Sequence, residues 1–232
     1  MVDLAVISLS GGLDSCVAAA IAKAEGFELA LLHADYGQLT EARERRAFHD
    51  IADFYSIPHN RRLVISFENL RKIGGSALTD PTIPLPEGDL QREGVPVSYV
   101  PFRNAHLLAT AVSWAEVLQA PHIFVGFVEE DSSGYPDCRE AFLKSFEATA
   151  NLGTKPETRL KLHAPLIHLH KAQIVAKGLA LGAPLHLSWS CYQGEEKACG
   201  HCDSCLLRLR GFHEAGAQDP IPYSTRPNPL KP

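Results

Sequence analysis

Ser10-Gly11-Gly12-Leu13-Asp14-Ser15 is the first stretch of the chain whose residue types and spacing allow chemistry. Two adjacent glycines let backbone N–H groups approach an anion with no Cβ in the way, and a helix starting there adds partial positive charge. Ser10 and Ser15 add hydroxyl donors, so the turn can cradle phosphate. It is not a Walker loop, because no Gly-Lys-Ser/Thr follows, and the Gly-x-Gly-x-x-Gly dinucleotide fingerprint is absent. Without a P-loop lysine, such a cradle suits pyrophosphate held with magnesium, an ion that Asp14 can help position. The plainer reading is a tight strand-to-helix turn with Asp14 or Ser15 as N-cap; the complete hexapeptide after a buried strand favours nucleotide binding.

The second constellation is Cys191-x7-Cys199-x2-Cys202-x2-Cys205, four of the six cysteines within one short span. Four thiolates so close can surround one tetrahedral zinc, a closed and therefore structural site. The C-x2-C-x2-C part also fits iron–sulfur ligation, but no electron-transfer partner site is apparent, which favours zinc. His201 lies inside the cluster, flanked by cysteines that take precedence as ligands. Cys16 and Cys138 stand alone and read as inert buried thiols.

The third is the run from Gly126 to Arg139, rich in carboxylates: Glu129, Glu130, Asp131 and Asp137. A carboxylate matches the paired N–H donors of a guanine-like edge, and Tyr135 or Phe127 can stack on the ring. The alternative is a solvated loop capping the next helix, with Pro136 in its first turn. Arg103, after Val100-Pro101-Phe102 and before Asn104, sits where a helix begins; its setting suggests a phosphate or carboxylate contact over a surface arginine. Arg43, Arg45, Arg46, Glu41 and Glu44 read as a solvated helix face with i,i+4 pairs. His163, His168 and His170 read as packing or exposed histidines and not as a second metal site.

These residues need a scaffold that gathers them. Val2 to Leu9, Glu28 to His33, Leu63 to Phe67, His122 to Phe127 and Lys161 to Leu166 read as strands. Apolar stripes at Val17/Ala20/Ile21/Ala24, Phe48/Ile51/Ala52/Tyr55, Ala105/Leu108/Ala109/Val112 and Phe142/Leu143/Phe146, then Lys171 to Leu181, read as helices. The alternation predicts an α/β fold with a doubly wound, mostly parallel five-stranded sheet, helices on both faces, and ligands at the carboxyl ends of strands. A glycine- and proline-rich stretch from Gly74 to Pro101 reads as a long functional loop. The expected division is an α/β domain over 1–185 and a small zinc-binding region with a proline-rich tail over 186–232.

With 45% hydrophobic and 21% charged residues, the composition is that of a globular protein and excludes a disordered or fibrous chain. The net charge of −5 argues against wholesale nucleic-acid binding. The first residues lack the basic flank of a signal peptide, and Glu116 and Pro121 interrupt the most apolar stretch, so no membrane span is expected. A cytoplasmic location follows, where clustered cysteines suit metal better than disulfides.

Ser-Gly-Gly-Leu-Asp-Ser resembles the pyrophosphatase loop of ATP-dependent adenylating enzymes, whose fold is of the Rossmann-like HUP type. Asp35-Tyr36-Gly37-Gln38, Val100-Pro101-Phe102-Arg103-Asn104, Ser133-Gly134-Tyr135-Pro136-Asp137-Cys138-Arg139 and the cysteine cluster, in this order over nearly the whole chain, are similar to the 7-cyano-7-deazaguanine synthase family. Phe102 departs from that family's pattern, in which glycine is commoner at this place. The resemblance implies a ligase of queuosine biosynthesis that uses MgATP and ammonia to turn 7-carboxy-7-deazaguanine into the nitrile through two adenylations. It implies Asp14 and Arg103 as catalytic groups. ATP contacts are implied at Ser8, Leu9, Ser10, Gly11, Gly12, Leu13, Asp14, Ser15, Cys16, Val17, Ala18 and Asp35. Substrate contacts are implied at Glu129, Asp131, Tyr135, Asp137 and Arg139. One structural zinc on Cys191, Cys199, Cys202 and Cys205, small-molecule partners, no stable nucleic-acid partner and a homodimer complete the expectation. The rivals are an adenylase with the same loop acting on tRNA or on a protein, and a noncatalytic zinc module.

Overall fold

The computed structural model describes residues 3–91, 94–129 and 134–225. Its central strand is β1, Leu4–Ser8, where Ala5, Val6 and Ile7 are fully buried. A strand buried on both faces must be apolar throughout, as this one is. It pairs in parallel with β2 (Glu28–Asp35) on one side and β4 (His122–Phe124) on the other. β3 (Arg62–Ser66) and β5 (Lys161–His163) form the edges, giving an all-parallel sheet of order β3-β2-β1-β4-β5. The five-stranded parallel sheet expected from the alternation is thus found. The chain winds outward from β1 to β3 and then crosses to β4, so strand order reverses beside β1. The crevice at that reversal is where such sheets bind ligands.

Side chains alternate across the sheet and divide the core. Ala5, Ile7 and Leu9 face one layer with α1 (Leu13–Ala24), α2 (Glu41–Phe54) and α6 (Lys171–Ala180). Val6, Ala30 and Leu32 face the other, with α4 (Arg103–Leu118) and α5 (Glu140–Gly153). The short α3 (Glu68–Ile73) follows β3.

Several elements differ from expectation. β4 and β5 are shorter than the apolar runs that announced them. Pro165 lacks the N–H a ladder needs, and beyond Val125, whose N–H still donates to the His163 carbonyl at 2.9 Å, the chain turns toward the glycine loop. α7 (Asp203–Glu214) was not read from the sequence because its buried face includes Arg208 and Gly211, which break the apolar stripe. The stretch from 74 to 101 lacks regular structure in its described residues yet is packed: Leu78 and Val100 are buried with Tyr36 and Leu70. Its Gly88 N–H donates to the His201 carbonyl, which fastens it to the cysteine region.

The cysteine region also closes on the α/β layers. The Trp189 N–H donates to the Gly11 carbonyl at 2.7 Å, and α7 packs on α6. The stretch after residue 185 therefore completes the wall around the sheet's carboxyl edge.

Candidate active site

The glycine turn joins β1 to α1. Gly11 has φ +87°, and a Cβ there would lie 2.7 Å from the Glu44 carbonyl oxygen, so the position demands glycine on both counts. Ser10 Oγ accepts from the Gly12 N–H at 3.2 Å and lies 3.1 Å from Ser15 Oγ, which donates to the Gly12 carbonyl at 3.0 Å. The cradle is thereby held open at the N-terminus of α1. Gly126, just beyond β4, passes directly over it: a Cβ on Gly126 would sit 2.6 Å from the Ser15 nitrogen.

Asp14, in the first turn of α1, receives Lys171, whose Nζ lies 2.8 Å from both carboxylate oxygens. The loop has no lysine of its own; one arrives from 157 positions away. Lys171 is buried at the start of α6, with its stem against Gly211 of α7. Sequence reasoning missed it. The available signal was a lysine at the first position of a helix, where the helix dipole disfavours a cation.

The cavity in front of the cradle measures about 260 Å³. Ser8, Ser10, Gly12, Leu13, Asp14 and Ser15 form its floor, and Arg103, Tyr36, Tyr135, Lys171 and Arg208 lie around it. Arg103 is the first residue of α4 and turns inward: its Nη1 donates to the Tyr36 hydroxyl at 2.9 Å, and its guanidinium lies over the rings of Tyr36 and Tyr135. It forms no ion pair among the described residues, which leaves a cation facing the cavity. Phe102 before it adopts φ +57°, a backbone region that disfavours an aromatic residue and admits glycine freely.

Of the expected substrate contacts, Tyr135 lines the cavity and donates its hydroxyl to Ser98. Asp137 is buried and accepts the Asn104 N–H at 2.9 Å, capping α4. Glu129 accepts the Glu140 N–H at 3.0 Å at the start of α5, beside Arg139. Glu129, Asp137 and Arg139 stand behind the lining and not in it. Asp131 lies outside the described residues. Leu9, Cys16, Val17 and Ala18 are buried in the core and, like Gly11, are not part of the cavity lining. Burial pushes the thiols of Cys16 and Cys138 up to about 12, so both are protonated and poor nucleophiles.

Asp35, at the end of β2, is buried with His33 Nε2 3.2 Å from one carboxylate oxygen and Arg45 Nη2 2.6 Å from the other. Burial by itself raises its pKa; the hydrogen bonds and charges of His33 and Arg45 outweigh that and hold it below the usual range. The α2 charges are accordingly not all solvated, which corrects the reading of that face. Arg45 keeps its i,i+4 partner Glu41, but Arg43 stacks on Trp189 at 4.3 Å and Glu44 turns into the cavity.

The four clustered cysteines are buried, and their sulfurs lie within 4.8 Å of one another. Backbone N–H groups of Gly194 and Cys199 point at Cys191 Sγ at 3.1 and 3.2 Å, the arrangement expected around a thiolate. The side chains of Cys202 and Cys205, then backbone amides, hold the Cys191 thiol well below its ordinary range. The donor set fits one tetrahedral metal ion. His201 is not part of it; its Nδ1 lies 3.1 Å from Glu87. From α7, which starts inside the cluster, Arg208 reaches the cavity wall. It makes a two-pronged contact with buried Asp219 at 2.7 and 3.0 Å and donates to Ser188 Oγ at 2.8 Å.

A family model described as queuosine biosynthesis protein QueC matches residues 4–216, which contain the cradle, the cavity and all four cysteines. The chain belongs to the QueC family. Two relatives named 7-cyano-7-deazaguanine synthase extend the match. One from Chlorobium phaeobacteroides is 57% identical over 97% of this chain and 98% of its own length. Another, from Chlorobaculum tepidum, is 52% identical over 98% of this chain and 99% of its own. Membership in the QueC family makes this chain an enzyme of queuosine biosynthesis. A crystal structure of a 4-thiouridine synthetase with RNA and bound ATP superposes with a TM-score of 0.52 at 19% identity, covering 95% of this chain and 47% of that one; it shares the fold. Among the described residues no helix is long and apolar enough to cross a membrane.

Proposed function

We propose that this QueC-family chain uses ATP and ammonia to convert 7-carboxy-7-deazaguanine to 7-cyano-7-deazaguanine, acting as a carbon–nitrogen ligase. The observation that carries this reading is the meeting of a backbone phosphate cradle, Lys171 and Arg103 around one cavity. Near-full-length likeness to relatives of that name supports it.

A carboxylate oxygen is a poor leaving group, and adenylation makes it a good one. Ammonia attacks the acyl adenylate to give the amide, and a second adenylation, at the amide oxygen, lets that oxygen depart with AMP and leaves the nitrile. Both steps ask the protein for positioning and charge stabilisation. The cradle amides and the hydroxyls of Ser10 and Ser15 hold phosphate, and Lys171, now paired with Asp14, is the cation beside it. Asp14 is the carboxylate at the cradle that would hold magnesium, which neutralises phosphate charge when bound with ATP. Arg103 faces the acyl phosphate, Tyr135 stacks on the deazaguanine, and Asp35 marks the ribose side. Glu129, Asp137 and Arg139 brace the base-recognition loop, and the resemblance assigns Asp131 to the same recognition. The four cysteines would hold a zinc ion in a closed, structural site, and the segment they fasten forms the wall from which Arg208 projects. A homodimer in the cytoplasm is part of the same reading.

The test is incubation of the protein with MgATP, ammonium and 7-carboxy-7-deazaguanine. The nitrile and pyrophosphate are the expected products; an unchanged substrate mass with folded, zinc-loaded protein contradicts the proposal.

A further inference from the structure

Glu44 is the cavity carboxylate that the reaction above does not use. It sits in the first turn of α2 and lines the same cavity as Arg103 and Asp14. No cation pairs with it among the described residues. Its two oxygens are held by neutral groups. Gln38 is fixed by its own carbonyl, which accepts the Tyr36 N–H at 2.9 Å, so its amide nitrogen must face Glu44, donating to Oε2 at 3.1 Å. Thr40 Oγ1 lies 2.9 Å from Glu44 Oε1 and 3.2 Å from the Cys191 carbonyl oxygen.

Thr40 has one hydrogen for those two oxygens. With Glu44 ionised, the hydroxyl donates to Oε1. With Oε1 protonated, Glu44 donates to Thr40 and Thr40 turns its hydrogen to the Cys191 carbonyl. Passing between the two states rotates one hydroxyl and displaces no heavy atom, so this carboxyl can take and return a proton at little cost in reorganisation. Burial raises its pKa against the lowering effects of Thr40, His33, Gln38 and Arg103, the groups that face it from β2, the following loop and α4. A raised carboxyl lies closer to neutrality, where proton exchange is efficient.

We propose that Glu44 takes a proton from ammonium and delivers ammonia to the acyl adenylate. This rests on the reaction proposed above. Ammonium docks on the Glu44 carboxylate and gives it one proton. The resulting ammonia forms the C–N bond while the C–O bond to AMP breaks, its electron pair leaving on the AMP phosphate. The surplus proton on the attached nitrogen goes to water, and Glu44 returns its own proton to solvent between turnovers. The site's ligand class is thus a small hydrogen-bonding cation that must become a neutral nucleophile.

Glu44→Gln separates this role from a structural one when two nucleophiles are compared. Hydroxylamine is already neutral at neutral pH and needs no base before attack. The wild type, once shown to form product, is the reference. The expected result is that E44Q loses roughly 100-fold or more of ammonium-dependent amide formation, while hydroxamate formation and pyrophosphate–ATP exchange stay within a few-fold of wild type. Equal losses with both nucleophiles, or no loss with ammonium, would overturn the proposal. Wild-type protein that forms no product with either nucleophile contradicts the reaction itself.

Discussion

Lys171 Nζ lies 2.8 Å from both oxygens of Asp14, bridging the start of α6 to the first turn of α1. The pair supplies at long range the cation that the glycine loop lacks in its own sequence. In the proposed reaction it would preorganise the cradle, since a lysine held at the helix start needs little movement to meet a phosphate.

Replacing Lys171 with methionine keeps most of the packing against Gly211 and removes the charge. Pyrophosphate release is expected to fall on the order of 100-fold, the scale for losing one preorganised electrostatic contact. Stability falls by about 2 kcal/mol, because Asp14 is 30% exposed and water screens its loss of partner. Steady-state kinetics and a denaturation curve check both; activity close to wild type contradicts the assignment.

Gly126→Ala places a methyl group 2.6 Å from the Ser15 backbone nitrogen, a contact that only backbone movement can relieve. The expected cost is about 1–3 kcal/mol of stability, with a matching loss of ATP affinity because the displaced backbone is the cradle. Calorimetric titration with ATP reads it, and unchanged affinity contradicts it.

Chelating the metal should affect nucleotide binding as well as folding. Trp189 is bonded to Gly11, and the Leu13 N–H points at Ser190 Oγ at 3.4 Å, so the segment leading into Cys191 is fastened to the phosphate turn. Metal analysis is expected to find one zinc per chain. Cys202→Ser is expected to lower the melting temperature and weaken ATP binding by on the order of tenfold, about 1.4 kcal/mol. A variant that loses zinc but binds ATP normally contradicts this coupling.

Acid sensitivity has a specific source away from the cavity. His163 stacks on Phe124 with ring centroids 4.3 Å apart, and its Nε2 is 3.0 Å from His122 Nδ1. Burial, then the neighbouring His122 and Lys161, lowers its pKa from 6.5 to about 4. The folded state therefore binds fewer protons than the unfolded chain between those values, and stability is lost as pH falls from about 6.5 toward 4. His163→Phe is expected to flatten that limb of the stability profile measured by thermal melts. An unchanged slope refutes the attribution.

Much of this was legible in local sequence. The buried β1 run, the glycine turn and the cysteine spacing each announce themselves within at most fifteen residues, and the structure contains the parallel sheet and the gathered cysteines. What was not legible depends on tertiary placement. Lys171 and Gly126 matter because of what packs against them; a lysine opening a helix is the one local hint of the first, and nothing nearby in sequence marks the second. Glu44 lies in a run of charges that reads as a solvated face, and only the packing of α2 against β2 turns it inward. Phe102 shows the opposite case: the resemblance leads one to expect glycine there, and only the structure gives a physical reason, a φ of +57° that glycine adopts freely.

The proposed reaction carries an acid through an amide to a nitrile in one cavity by two adenylations. The most direct measurement is the ratio of AMP formed to nitrile formed in a single reaction with limiting 7-carboxy-7-deazaguanine, with the amide followed in parallel. Two AMP per nitrile is predicted, with the supplied amide converted on addition of one further ATP. One AMP per substrate, with the amide as the final product, would overturn the proposed reaction.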